Sequence, residues 1–256
     1  MTDLSGRHGL VVGVANKRSI AWAIAQQLAG CGVRLALTYA DERLGENVRE
    51  LAAPLDGPLI LPCDVTSDDQ VRAVYAEIGE AFGTLDYLVH AVAFAPRTEL
   101  TGRLLDTTRD GFRIALDVSV YSLIALARGA APLMRARGAG SVLTLTYLGA
   151  RRVFPNYNVM GVAKAGLEAT VRYLAADLGP DNIRVNAISA GPIRTLASAG
   201  ISGFSEILQV YRDRAALKRN VDAGEVADAA FFLLTSATAI TGECVTVDAG
   251  YNIMGM

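Results

Sequence analysis

The sequence predicts an α/β fold: a doubly wound parallel sheet of seven strands with helices on both faces, built as one domain over residues 1–256. Three observations predict it. Short apolar runs alternate without a break with stretches long enough for a helix, the pattern of right-handed βαβ units. The runs are apolar throughout, as strands buried on both faces are. No linker or repeat divides the 256 residues, a length that one α/β domain accommodates.

In chain order, strands are expected at 9–14, 33–38, 59–62, 85–90, 141–146, 184–189 and 244–247. Helices are expected at 19–29, 42–53, 67–82, 109–137, 157–178 and 223–235. The one irregular insert, 194–218, is rich in Ala, Gly and Ser and stands between a strand and a helix. It therefore lies at the carboxyl ends of the strands, where such sheets bind ligands. Two readings stay open for it: a flexible lid over a substrate, or an ordinary pair of surface helices.

Composition narrows the function. The net charge is -2 and no block of like charges stands out, so neither nucleic acid nor an acidic membrane is the expected partner. A mean hydropathy of +0.31 is high for a soluble monomer. Buried parallel strands explain part of it, and a large subunit interface the rest. Cys31, Cys63 and Cys244 are widely spaced and form no CxxC pair, so they read as reduced thiols packed as small apolar side chains. His8 and His90 are the two histidines, too far apart for a His-rich site, and no metal is expected. Residues 1–7 hold no apolar signal region and no spanning segment is read further on, so a cytoplasmic location is expected.

The first strand runs into Gly13-Val14-Ala15-Asn16-Lys17-Arg18-Ser19-Ile20-Ala21 and then a helix. A turn that cradles a pyrophosphate needs small residues, so that backbone N–H groups and the helix N-terminus can approach it. Gly13, Ala15 and a helix-capping Ser19 meet that need, although the other glycines of GxGxxG are missing. After the third strand, Asp64 and Val65 offer a carboxylate and a backbone N–H to an adenine edge. After the fourth comes His90-Ala91-Val92-Ala93-Phe94-Ala95-Pro96, a run of mostly small residues. Three strand ends of one sheet, each suited to a flat ligand, predict a dinucleotide crevice.

Tyr157 and Lys164 stand seven apart in the expected helix 157–178. Two turns of helix bring such positions back to one face, about 10 Å along the axis. A tyrosine hydroxyl near a fixed ammonium ionises more easily and donates a stronger hydrogen bond, which suits an oxyanion or a proton transfer. On spacing alone, a half-buried Tyr with a solvated Lys is the simpler reading.

These residues carry a resemblance that covers essentially the whole chain. The sequence resembles the short-chain dehydrogenase/reductase superfamily. Within it, the chain is similar to the enoyl-[acyl-carrier-protein] reductases of bacterial type II fatty-acid synthesis. Ordinary members carry Tyr-x3-Lys with a Ser thirteen residues before the Tyr, and those positions here are Met160 and Tyr147. The tyrosine stands one turn earlier, as Tyr157 in Tyr-x6-Lys, which marks the enoyl reductase branch. So do Gly13 with Ser19-Ile20-Ala21, Phe94-Ala95-Pro96, and Ser189-Ala190-Gly191-Pro192-Ile193-Arg194-Thr195. Ile240-Thr241-Gly242 and Val247-Asp248-Ala249-Gly250-Tyr251 are general to the superfamily. Two departures stand out. The ordinary Asn of the long helix is absent, with Asp117 nearby, and Ala40 occupies a place after the second strand where a polar or basic residue is common.

The resemblance implies a Rossmann-type fold and NADH-dependent reduction of the trans-2 double bond of an enoyl chain carried on acyl carrier protein. It implies catalytic roles for Tyr147, Tyr157 and Lys164. Gly13, Ser19, Ile20, Ala40, Asp64, Val65, Val92 and Lys164 would meet the cofactor, with Ile193, Arg194, Thr195, Leu196 and Ala197 passing near its nicotinamide and pyrophosphate. Ala95, Tyr147, Tyr157, Met160, Ile201 and Phe204 would meet the acyl group. Arg194, Arg212, Arg214 and Lys218 are candidates to receive the acidic carrier, and a homotetramer is implied. NADH is expected over NADPH, because Ala40 supplies no charge and Asp41 and Glu42 would repel a 2′-phosphate; Arg43 is the one residue opposed to that. The rivals are a ketone or alcohol dehydrogenase, disfavoured by the missing Tyr at 160 and Ser at 147, and a non-catalytic dinucleotide sensor, disfavoured by the retained Tyr157 and Lys164.

Overall fold

A computed structural model of the protein describes residues 3–195 and 203–255. Seven strands form one parallel sheet: β1 His8–Val12, β2 Arg34–Tyr39, β3 Leu59–Pro62, β4 Tyr87–His90, β5 Gly140–Thr146, β6 Ile183–Ala190 and β7 Cys244–Val247, in spatial order 3-2-1-4-5-6-7. The chain winds outward from β1 to β3, returns to lay β4 beside β1, and then winds the other way. That reversal opens a crevice at the carboxyl ends of β1 and β4.

Successive residues of a strand point to opposite faces, and each face buries its own core. On one face Leu10, Val12 and Leu88 pack against α3 (Asp68–Phe82), α5 (Ser122–Arg137) and α6 (Asn158–Leu178). On the other, Val11, Leu37 and Val89 pack against α1 (Ile20–Gly30), α2 (Glu42–Ala52) and α8 (Ala223–Thr235). Side chains set several helix starts, satisfying amides that the first turn leaves open. Ser19 caps α1, Asp41 caps α2, Ser67 caps α3, and Asp222 with Glu225 forms a capping box on α8.

The structure corrects the expected elements in four places. The first strand ends at Val12, because Gly13 turns the chain at φ 100°. The helix expected at 109–137 is two helices, α4 (Arg109–Leu116) and α5, joined by a π-helical turn over Asp117–Tyr121. That stretch is long and apolar enough to cross a membrane. Its apolar side chains serve the core instead: Leu123, Leu126, Ala130 and Met134 are fully buried. The helix bearing Lys164 begins at Asn158, with Tyr157 as its cap residue. The insert 194–218 contains a helix, α7 (Phe204–Arg214).

Candidate active site

The first turn folds against the end of β4. A Cβ at Gly13 would meet the Ala91 carbonyl oxygen at 2.4 Å, so only glycine allows the two backbones this close. Ser19 donates to the Asn16 carbonyl at 2.7 Å and accepts from Trp22 N, which fixes the turn and directs the N-terminus of α1, with Ile20 as its first residue, toward the crevice. Ala40 is exposed just beyond β2. The Asp64 carboxylate accepts from the backbone and hydroxyl of Thr66 at 2.9 and 2.8 Å, shaping its own turn beside the half-buried Val65. After β4, Val92 is half-buried and Ala95 buried. After β6, Ile193 and Thr195 are half-buried and Arg194 is exposed, its guanidinium 3.5 Å from Ser205 Oγ. The predicted contacts Leu196, Ala197 and Ile201 lie outside the described residues.

Among the charges after β2, the expected repulsion is absorbed locally. Asp41 accepts from Leu44 N as the cap of α2, and Glu42 pairs with Arg49 at 2.5 Å and takes a hydrogen bond from Tyr39 at 3.1 Å. Arg49, stacked over the Tyr39 ring, is thus the partner of Glu42 alone, and Arg43 in the first turn of α2 stays exposed.

Tyr147, just after β5, and Tyr157 meet edge to face with ring centroids 5.2 Å apart. A Cβ at Gly149 would sit 2.5 Å from the Tyr157 ring, so that ring lies on bare backbone. Tyr157 and Lys164 are both 7% exposed, which overturns the simpler reading of a half-buried Tyr with a solvated Lys. Lys164 Nζ donates to the Leu145 carbonyl at 2.7 Å. An ammonium has three donors, and among the described residues two of them remain for a ligand. Burial lowers the Lys164 pKa to about 8, opposed by the Glu168 carboxylate one turn on. Burial raises the Tyr157 phenol well above its ordinary range, so it stays protonated and able to donate. Tyr147 is pushed up to about 12 by burial, against the pull of a hydrogen bond from Tyr211. Met160, where ordinary superfamily members would have the tyrosine, is buried with its sulfur 3.9 Å from Ser119 Oγ. Phe204 is half-buried at the start of α7.

Ser119 and Tyr211 escaped the sequence reading, as did the hydrogen bonds of His90. Ser119, in the π-helical turn, accepts from Phe94 N at 3.1 Å and donates to Phe94 O at 3.3 Å, clamping the loop after β4. His90 is fully buried at the end of β4, with Thr144 Oγ1 and Ser122 Oγ each 2.8 Å from a ring nitrogen. Burial first and the nearby Lys164 second lower the His90 pKa to about 3, so it remains neutral. Tyr211 on α7 reaches Tyr147, its hydroxyl 3.1 Å from the Tyr147 oxygen. The π-helical turn had no sequence signal; the spacing of Tyr211 within the insert could have suggested a buried helix face.

Comparison with known proteins agrees with this geometry. The family described as Enoyl-(Acyl carrier protein) reductase matches residues 13–252. The enoyl-[acyl-carrier-protein] reductase [NADH] of Synechocystis is 52% identical over 260 residues, covering 100% of both chains. Its Bacillus subtilis counterpart is 53% identical over 254 residues, covering 98% of each. The crystal structure of the Bacillus cereus enoyl-acyl carrier protein reductase with NADP+ and indole naphthyridinone matches with a TM-score of 0.96 at 52% identity, over 100% of both chains. The Anaplasma phagocytophilum reductase in complex with NAD matches with a TM-score of 0.95 at 46% identity, over 100% of this chain and 98% of that one. The chain belongs to the enoyl-(acyl carrier protein) reductase family.

Proposed function

We propose that this chain reduces the trans-2 double bond of enoyl-acyl carrier protein with NADH in fatty-acid elongation, with Tyr157, Lys164 and Tyr147 as its catalytic residues. The observation that carries the residue roles is the pair of buried side chains Tyr157 and Lys164 at one strand end, the first a protonated phenol and the second an ammonium with two donors to spare. The crevice fits a nicotinamide dinucleotide: a turn with no side chain at Gly13, the amide end of α1 for the pyrophosphate, and Lys164 for the nicotinamide ribose. When bound, the reduced nicotinamide supplies a hydride to C3 of the enoyl thioester. Tyr157 donates a hydrogen bond to the thioester oxygen, where the enolate charge gathers, and the stabilisation grows with that charge. Lys164 orients the ribose. Tyr147 lines the acyl pocket and donates to the same oxygen. Closure of the low-dielectric pocket strengthens each of these contacts.

The experiment is oxidation of NADH with a crotonyl thioester and, separately, an acetoacetyl thioester. Faster turnover of crotonyl is expected. Faster turnover of acetoacetyl would transfer the chain to the ketone reductases, a reading that Met160 at the ordinary tyrosine position speaks against.

The finer assignments belong to the same proposal. The insert 194–218 acts as a lid on the acyl chain, a reading supported by α7, whose Tyr211 reaches Tyr147 at the site. Arg194, Arg212 and Arg214, all exposed, receive the acidic carrier together with Lys218, whose Nζ bonds Asp213 O at 2.9 Å. A homotetramer rests on the family resemblance, and the exposed Phe112, Tyr121, Tyr173 and Phe232 offer apolar surface to a subunit contact. A cytoplasmic location accords with the use of NADH and a soluble carrier.

A further inference from the structure

Tyr147 does not stand alone. Tyr211 is 2% exposed and its hydroxyl donates to the Tyr147 oxygen at 3.1 Å. The Tyr211 ring in turn stacks on Tyr251, with centroids 3.6 Å apart and planes 14° from parallel. Tyr251 sits on a turn fixed by the buried Asp248, whose carboxylate accepts from Gly250 N at 3.0 Å and Asn252 N at 2.8 Å. The far end of α7 is tied to the same turn: Leu217 N donates to Ala249 O at 3.1 Å. A Cβ at Gly250 would meet the Ala216 Cβ at 2.8 Å, so the approach is as close as glycine permits. The end of β5, α7 and the 248–252 turn therefore converge around Tyr211, whose hydroxyl meets the Tyr147 oxygen.

A phenol has one proton and an oxygen that accepts. With the Tyr147 oxygen engaged by Tyr211, its proton is left for another acceptor, and accepting one hydrogen bond polarises the O–H toward a stronger donation. We propose that Tyr211 is a positioning residue for the reduction: it holds the Tyr147 ring and commits the Tyr147 hydroxyl to donate to the thioester oxygen. This rests on the donor role given to Tyr147 above. The direction of the bond agrees with the electrostatics, since Tyr211 is held protonated by burial and by its neighbours while its hydrogen bond pulls the Tyr147 pKa down.

The test compares Tyr211→Phe, Tyr147→Phe and the double variant, following NADH oxidation with a crotonyl thioester, NADH binding by fluorescence and thermal unfolding. Tyr211→Phe keeps the ring stack and removes one hydroxyl. Expected is a fall in kcat of about three- to tenfold, the worth of one neutral hydrogen bond, with NADH binding and Tm unchanged. In the Tyr147→Phe background the same change should have no effect on kcat. Full kcat in Tyr211→Phe, with Tyr147→Phe slow, overturns the positioning role and leaves the Tyr147 assignment standing. An equal loss in both backgrounds also overturns it, since Tyr211 would then act through packing alone. Native kcat in Tyr147→Phe sinks the donor role of Tyr147 and the positioning role with it.

Discussion

The two ends of the sheet handle buried charge in opposite ways. At the amino end, Asp86 accepts from Arg7 at 2.6 Å, from Arg137 at 2.9 Å and from the backbone of His8 at 2.8 Å. Beside it, the Arg184 guanidinium bonds the carbonyls of Leu233, Leu234 and Ile240 and ties down the end of α8. At the carboxyl end, Lys164 is buried with one hydrogen bond, to Leu145, and its charge partner Glu168 is occupied by Thr146 and Arg151. Saturated polar groups stabilise a fold. Desolvated groups with donors left over have free energy to release when a ligand or a transition state completes them. On the proposed assignment, the amino end serves the fold and the carboxyl end serves the chemistry.

The widest separation should come from one substitution at each end. Tyr157→Phe removes a donor to the developing enolate, and kcat should fall by about 2.7–4 kcal/mol in barrier, with Tm nearly unchanged. Asp86→Ala should leave kcat/KM near native and cost about 1.5–3 kcal/mol of stability, the range for hydrogen bonds to a charged group, because the half-exposed Arg7 and Arg137 can rehydrate. Steady-state kinetics and urea unfolding on both variants check the pair. A large stability loss in Tyr157→Phe, or a large rate loss in Asp86→Ala, would break the division.

Lys164 sharpens it. Its pKa is depressed to about 8, so the ammonium proposed to hold the ribose is lost as pH rises through about 8, and NADH affinity should decline over that range. The sign for folding is the reverse. The unfolded lysine keeps its proton up to the ordinary value of 10.5, so between about 8 and 10.5 the unfolded state binds more protons and the Lys164 contribution to stability rises with pH. Lys164→Ala should weaken NADH binding as well as turnover, and should abolish that alkaline limb. An alkaline limb that survives in Lys164→Ala would assign it to another group.

Most of the carboxyl end was legible because its chemistry is written in local spacing. The Tyr157 to Lys164 interval, the Gly13 turn and the small residues after β4 each act through the element that carries them. The apolar runs gave the seven strands for the same reason. What escaped depends on contacts between distant segments. Tyr211 meets Tyr147 across 64 positions, and Ser119 meets Phe94 across 25 from a π-helical turn that breaks the regular period. The local engagement of Asp41 and Glu42 was also invisible, since capping and the reach of Arg49 are set by three-dimensional placement.

The smallest expected effect lies at the outer edge of the crevice, where the chain is neutral in side-chain charge at Ala40. With Asp41 engaged as a cap and Glu42 paired to Arg49, neither acid is free to turn fully on a 2′-phosphate, so repulsion is weaker than composition alone implies. Preference for NADH then rests mainly on the lack of a basic side chain fixed at the ribose. Arg43 is exposed in the first turn of α2, and a solvated pair with a phosphate is worth no more than about 1 kcal/mol. Arg43→Ala should therefore leave kcat/KM for NADH unchanged and lower the value for NADPH by no more than about fivefold. Raising ionic strength should erase that difference, because an exposed pair is screened within about a Debye length. A loss with NADPH much larger than this, insensitive to salt, would mean that Arg43 closes on the phosphate in a dry, bidentate contact, and the outer edge of the crevice would then join Lys164 as a place where this chain holds a charge in reserve for its ligand.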